Sequence, residues 1–323
     1  MQQPVSIASI GELLVEFVCA TKNGRNRTVA AYQGPFPSGA PGIFIDQAAL
    51  IGGHAIFVGA VGGDAFGKVM LDHLERRGVA LDLIRTIPDR PTGSAFVSYN
   101  DDGSRDFVFN IAHSAAPLFL DEPTILKRLR DAHLDVMHIS GSSLPNPRMA
   151  QAILTICDAL HADGVRISFD PNIRKEFAYE AGYLSSVRKL MAISTYFLPS
   201  EEDAAVLFPN RGFDDYAAEL FRRACEYVVL KRGAEGCRGL TRSGEHGDLP
   251  ALKVTVRDPT GAGDCFCATF VALAGSKSHS FIEALRRANV AGALATTKVG
   301  PMEGNSTLAE IELALKRGAA AWA

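Results

Sequence analysis

No run of apolar residues approaches the roughly 20 needed to span a bilayer, and the opening Met1-Gln2-Gln3-Pro4 lacks the layout of a secretory leader. Positive charge is not in surplus: 33 Lys+Arg against 36 Asp+Glu leave a formal charge of −3, with no electrostatic footprint for nucleic acid. Six cysteines are scattered. The one close pair, Cys265-x-Cys267, has neither zinc-finger nor thioredoxin spacing, so free thiols in a reducing cytoplasm are expected. There is no G-x-x-x-x-G-K-[ST], which excludes a Walker-type P-loop enzyme, and no protein-kinase H-R-D with D-F-G. Without H-E-x-x-H or G-x-S-x-G, zinc-peptidase and α/β-hydrolase readings lose their usual markers. The eight histidines, among them His113 and His138, show no ligand spacing. What is left is a cytoplasmic globular protein, by its size an enzyme, with neither nucleic acid nor membrane as partner.

What is present is an α/β pattern. Ser6–Ile10 is a short apolar run closed by Gly11, with Glu12 and Glu16 just beyond. Residues 21–33 are polar around a brief β-like Thr28–Tyr32. Gly34-Pro35-Phe36-Pro37-Ser38-Gly39-Ala40-Pro41-Gly42 is dense in turn-formers and opens an apolar segment, Ile43–Ile51. Ala55–Val61 reads as a buried strand leading into Gly62-Gly63-Asp64-Ala65-Phe66-Gly67. That turn resembles a dinucleotide site but does not match G-x-G-x-x-G, so a nicotinamide reading is weak. Thr92–Asn100 and Arg105–Ile111 flank Asp101-Asp102-Gly103, a hairpin signal, and a hairpin inserted among α/β units suggests a lid.

From Asp135 onward strands and helices alternate, which argues for a largely parallel sheet covered on both faces. Predicted strands end at Asp170, Ser200 and Lys231, and the carboxyl edge of such a sheet is where ligands bind. With no internal repeat and no linker, residues 1–323 are expected to form one domain, its lid built from about 15–36 and 91–112.

The chain turns on Asp258-Pro259-Thr260-Gly261-Ala262-Gly263-Asp264, which runs into the apolar Cys265–Val271. Small residues let the backbone turn tightly and let a ligand approach it. The first amides of a helix lack internal partners, and the helix dipole favours anions there. A Gly-Ala-Gly turn at that place is a phosphate seat, and an Asp at its end can take a proton from an attacking hydroxyl. Phosphoryl transfer asks for little more than positioning and charge neutralisation in a dry site.

This stretch resembles the C-terminal signature of the ribokinase/PfkB carbohydrate kinases. Gly11-Glu12, Ser38–Gly52, Val61-Gly62-Gly63-Asp64-x-x-Gly67, Asp170-x-Asn172-x-Arg174, Val229-x-Lys231-x-Gly233-x-x-Gly236 and Ala288-Asn289-x-Ala291 fall in the same order as in that family. The resemblance implies a three-layer, Rossmann-like α/β core with a small β lid, and ATP-dependent phosphorylation of a sugar hydroxymethyl group. It implies Asp264 as base and Gly261, Ala262 and Gly263 as anion hole. Ser200, Lys231, Gly233, Gly236 and Asn289 would lie along the nucleotide, and Glu16, Gly39, Arg105 and Arg174 toward the sugar. A monovalent cation such as K+ would be held by carbonyls near Asp258, Thr260, Ala295, Lys298 and Gly300. Mg2+ would arrive with ATP, its waters reaching Glu202 or Asp203. The lid hairpin also suggests a homodimer.

Four positions depart from the family pattern. Thr269 stands where Ala or Gly is usual. Ile43 replaces the usual sugar-binding Asn and cannot make its hydrogen bonds, leaving Asp46, one turn further along, as the candidate to compensate. The usual N-x-x-E reads Ser200-x-x-Asp203. After the lid, Phe109-Asn110-Ile111-Ala112-His113 lacks the basic residue of relatives acting on 2-keto-3-deoxygluconate or fructose. A carboxylate substrate wants an Arg clamp, for which Arg105 and Arg174 are the candidates. The missing charge favours a neutral ketohexose, tagatose- or fructose-like. A 2-keto-3-deoxygluconate kinase is the alternative, and a non-catalytic sugar or nucleotide sensor the alternative of another class.

Overall fold

The computed structural model describes residues 4–102, 104–119, 121–173, 182–276 and 278–318. In chain order the first half runs β1 (Ser6–Ile10), β2 (Leu14–Cys19), β3 (Tyr32–Ser38), α1 (Ala40–Leu50), β4 (His54–Gly62), α2 (Ala65–Arg76), β5 (Ile84–Ile87), β6 (Gly93–Tyr99) and β7 (Arg105–Asn110). There follow α3 (Glu122–Asp131), β8 (Val136–Ser140), α4 (Pro147–Ala162), β9 (Arg166–Asp170), α5 (Tyr183–Ile193), β10 (Tyr196–Phe197), α6 (Glu201–Leu207) and α7 (Phe213–Leu220). The rest is β11 (Tyr227–Lys231), β12 (Cys237–Thr241), β13 (His246–Leu249), α8 (Ala262–Gly275), α9 (Phe281–Ala295) and α10 (Leu308–Gly318).

The main sheet has the order β13-β12-β11-β10-β9-β8-β1-β4-β5. It is parallel from β11 to β5, and β12 and β13 close one edge antiparallel. Its strands bury both faces, as a parallel sheet must. Ile7 packs with α1, α8 and α9 on one side, whereas Ala8 and Ile10 pack with α3, α4 and α5 on the other. This is the three-layer α/β core expected. α8 is buried along almost its whole length, the property of a helix that is apolar all round. His138 belongs to the core: it is fully buried, stacked on Phe44 with ring centroids 3.5 Å apart. No helix of the described residues is long and apolar enough to cross a membrane.

A second sheet, β3-β2-β6-β7, stands apart from the first. Its strands come from residues 14–38 and 93–110, close to the two segments read as a lid. Its composition differs from expectation in one respect. The turn-rich stretch around Gly34 is a strand, despite Pro35 and Pro37, because β3 is an edge strand whose missing N–H donors disturb no inner ladder. The helix read over 216–225 begins at Phe213 and ends at Leu220.

The turn that resembled a dinucleotide site serves the second sheet instead. Asp64 caps α2 by accepting from Gly67 N at 2.8 Å, while its other oxygen accepts from Thr92 N at 2.8 Å. The Thr92 hydroxyl donates to Asp64 at 2.7 Å and accepts from Gly62 N. A Cβ at Gly67 would meet Gly62 O at 2.1 Å, so the turn is closed by its own backbone and by the entry to β6. Asp64→Ala is expected to lower the unfolding free energy by about 1–2 kcal/mol, read from urea midpoints. Burial raises the Asp64 pKa, but the donors from Thr92 and Gly67 outweigh it and hold it below the ordinary value. Its contribution is therefore present above the normal carboxylate range and lost as pH falls through the lowered folded value.

Candidate active site

The carboxyl ends of β1, β8, β9, β10 and β11 carry a row of polar groups linked to one another. At the end of β1, Glu12 accepts from Ser142 Oγ at 2.7 Å and Ser143 Oγ at 2.5 Å, in the turn that follows β8. Ser140, closing β8, accepts from Asn172 Nδ2 at 3.1 Å, just beyond β9. Asp170, the last residue of β9, pairs with Lys231 Nζ at 2.5 Å, the last residue of β11. Parallel pairing through β10 brings these residues together although they are 61 positions apart. Burial disfavours the Lys231 charge, but Asp170 and Asp203 more than offset it, and its pKa is raised. The ammonium lies under the start of α8, where a Cβ at Gly263 would meet it at 3.5 Å.

α8 begins differently from α2, α3, α4, α6 and α9, which are capped by a side chain. Its N-cap is Gly261 at φ +83° with no side-chain cap, a left-handed conformation that suits glycine. A Cβ there would also strike Pro301 O at 2.5 Å. Ala262, Gly263 and Asp264 form the first turn, and Asp264 is buried. Gly39, φ +104°, opens α1 likewise without a side-chain cap, and a Cβ there would meet Glu12 O at 2.6 Å.

Asp258 organises the approach to this turn. Its carboxylate accepts from Thr260 N at 2.9 Å, from Gly300 N at 3.0 Å and from the Tyr99 hydroxyl of the second sheet. Thr296 O, at the end of α9, receives Arg257 N and Asp258 N. Ala295 O lies close against Gly304, and Lys298 is exposed. The segments around 258–260 and 295–304 are thus packed together, and their carbonyls and the Asp258 carboxylate are hard oxygen donors of the kind an alkali cation takes.

Other expected residues sit elsewhere or are engaged. Glu16 is buried within β2 of the second sheet, accepting from Ser38 Oγ at 3.3 Å. Arg105 leans over the Phe107 ring and donates to Thr260 Oγ1 at 3.3 Å. Arg174 lies outside the described residues. Gly233 and Gly236 bracket the turn after β11; a Cβ at Gly236 would meet Leu249 O at 2.0 Å, and Asn289 Nδ2 donates to Pro250 O at 2.8 Å. Both therefore grip the 249–251 strand end. Ser200 and Asp203 form a reciprocal capping box at α6. Asp203 also accepts from Ile173 N at 2.7 Å, so its two oxygens hold backbone; Glu202 is exposed beside it. Burial and the nearby Asp170 raise the Asp203 pKa.

Asp46 does not compensate for Ile43. It is fully buried and held by His73 Nε2 at 2.9 Å, Arg77 Nε at 3.0 Å and Asn305 Nδ2 at 2.6 Å. Ile43 is itself buried, its Cγ2 3.1 Å from where a Gly261 Cβ would stand, so it supports the turn from behind. Thr269 is matched by Gln47, whose Nε2 donates to it at 3.2 Å. Sequence reasoning missed Tyr99 and the pairing role of Asp170. The signal for Asp170 was present, a carboxylate directly after a predicted strand; Tyr99 had none beyond its place opposite Arg105 across a hairpin.

Comparison with known proteins agrees with this architecture. The family model for pfkB family carbohydrate kinases matches residues 5–308. An E. coli protein designated Ribokinase II, solved in complex with ATP and Mg2+, is 35% identical with a TM-score of 0.89, over 97% of this chain and 99% of that one. Fructokinase-2 of Oryza sativa subsp. japonica is 28% identical over 332 residues, 98% of this chain and 96% of its own length. A double-mutant fructokinase of Vibrio cholerae O395, solved with fructose, ADP and potassium ion, shares the fold at 23% identity and a TM-score of 0.81, over 98% of this chain and 100% of that one.

Proposed function

Because the chain belongs to the pfkB family of carbohydrate kinases, and is thus a sugar kinase, we propose that it transfers the γ-phosphate of ATP to a primary hydroxyl of a neutral ketohexose, tagatose- or fructose-like. The observation that carries this reading is the convergence at the start of α8. An uncapped helix end, the Asp264 carboxylate and the Lys231 ammonium beside Gly263 share one place.

Asp264 takes the proton of the attacking hydroxyl as the new O–P bond forms and the bond from the γ-phosphorus to the β,γ-bridging oxygen breaks, releasing ADP. The amides of the Gly261–Gly263 turn neutralise the charge spread over the phosphoryl oxygens. Lys231 supplies a positive charge at that same point, and the turn around Gly233 and Gly236 and the segment held by Asn289 border the nucleotide. Mg2+, arriving with ATP, would neutralise phosphate charge, its waters within reach of Asp170, Glu202 or Asp203. An alkali cation would sit among the oxygens around Asp258, Thr260, Ala295 and Gly300. Their chemistry suits it, and the neighbouring structure with potassium supports the reading.

Substrate choice follows from engagement of charge. Arg105 is directed onto Thr260 and Phe107 and so is engaged away from the role of a carboxylate clamp. Glu16, Gly39, the serines on Glu12 and Asn172 offer neutral or acceptor groups suited to hydroxyls. The β2-β3-β6-β7 sheet acts as lid, excluding water. An ADP-release assay over tagatose, fructose and 2-keto-3-deoxygluconate tests this: a ketohexose should exceed the sugar acid in kcat/KM at least ~10-fold, since an unpaired buried charge is rejected more strongly than a missing methylene. Preference for the acid would overturn the substrate assignment. No ADP with any sugar, alongside stabilisation by ATP, would instead mark a sensor.

A further inference from the structure

The lid meets the catalytic loop at three points that the reaction scheme does not use. Tyr99 and Arg105 are register partners at the closed end of the β6–β7 hairpin. The Tyr99 hydroxyl donates to the Asp258 carboxylate and lies 3.1 Å from Thr260 Oγ1, onto which Arg105 Nη1 also converges. From β3, the Phe36 ring presses on Gly300, where a Cβ would meet its Cδ1 at 2.8 Å. Gly300 N in turn donates to Asp258. Asp258 and Thr260 are both buried, so on the loop side these bonds end on groups withdrawn from bulk water, while Tyr99 is half-buried and Arg105 exposed.

We propose that Tyr99 is a positioning residue for phosphoryl transfer: by holding Asp258 and Thr260 from the lid, it fixes the Gly261 turn and so makes the phosphate seat depend on lid closure. This rests on the kinase reading of the site. Thr260 directly precedes Gly261; its amide donates to the Asp258 carboxylate that Tyr99 also holds, and its hydroxyl lies against the Tyr99 hydroxyl itself. A phenol carries its proton at neutral pH and a carboxylate only accepts, so the Tyr99 hydroxyl is the donor in this bond. A hydrogen bond to a charged acceptor is among the stronger ones.

Tyr99→Phe removes the hydroxyl and keeps the ring. Hydrogen–deuterium exchange of the ligand-free protein should then quicken at least ~5-fold at Thr260 and Gly300, the two amides bonded to Asp258. Strand β8 should be unaffected. Turnover with the best sugar should fall ~10-fold or more with KM for ATP within about twofold. Val108→Ala, an exposed change on the same hairpin, should alter neither. Unchanged exchange at Thr260 and Gly300 overturns the tie itself. Quickened exchange with unchanged kcat overturns its catalytic consequence. Absence of ADP release by the unmodified protein with every sugar overturns the kinase reading, a failure seen before any variant is made.

Discussion

Asp264→Asn is expected to bind sugar as the unmodified protein does while its turnover falls by about 10²–10⁴-fold, the usual contribution of a positioned general base. Asn has the shape of Asp and can still hydrogen-bond a hydroxyl, but it cannot accept the proton. Competing explanations for a loss of that size are weak. Removing a negative charge from the first turn of α8 costs only about 0.3–1 kcal/mol through the helix dipole. The rate loss corresponds to about 3–5 kcal/mol of barrier. Calorimetric titration of the sugar and kcat from ADP release separate the two quantities. Near-normal turnover would remove Asp264 from the role of base.

The contrast between what could and could not be read from the chain has a physical basis. The Gly261–Asp264 turn was legible because its demands are local: a left-handed residue, small neighbours and a helix start within four positions. That the main sheet is largely parallel was legible from alternation, since parallel strands need a crossover connection, whereas its strand order was not. β3 was not, because prolines argue against strands unless the strand lies at an edge, and edge status is a property of the whole sheet. Ile43 was identified as a departure, but its consequence depends on α1 packing against α8 and could be seen only once Gly261 stood in front of it. The same holds for Asp46. A carboxylate one turn from a lost Asn suggests compensation, yet three donors, His73, Arg77 and Asn305, fix it inside the core. Long-range polar pairs are the part that spacing does not encode.

Lys231→Met tests one such pair, and two effects must be separated to interpret it. The substitution removes the cation beside Gly263 and also leaves Asp170 buried without its partner. The second effect costs on the order of 3–5 kcal/mol of stability, since the price of an uncompensated buried charge exceeds the net worth of the pair. Turnover is expected to fall about 10²–10³-fold, comparable to losing one donor to a developing charge. Adding Asp170→Asn should restore most of the stability, because the orphaned charge is gone, but none of the turnover, because the cation is still missing. Recovery of turnover in the double variant would assign Lys231 a purely structural role. The pH dependence of stability gives an independent reading. The Lys231 pKa is raised in the folded protein, so its contribution is complete below the ordinary lysine value of about 10.4 and is lost only as pH climbs through the higher folded value. The difference in stability between the unmodified protein and Lys231→Met should therefore persist through neutral pH and shrink only in strong alkali. A difference that closed between pH 6 and 9 would mean that another group carries the charge beside Gly263.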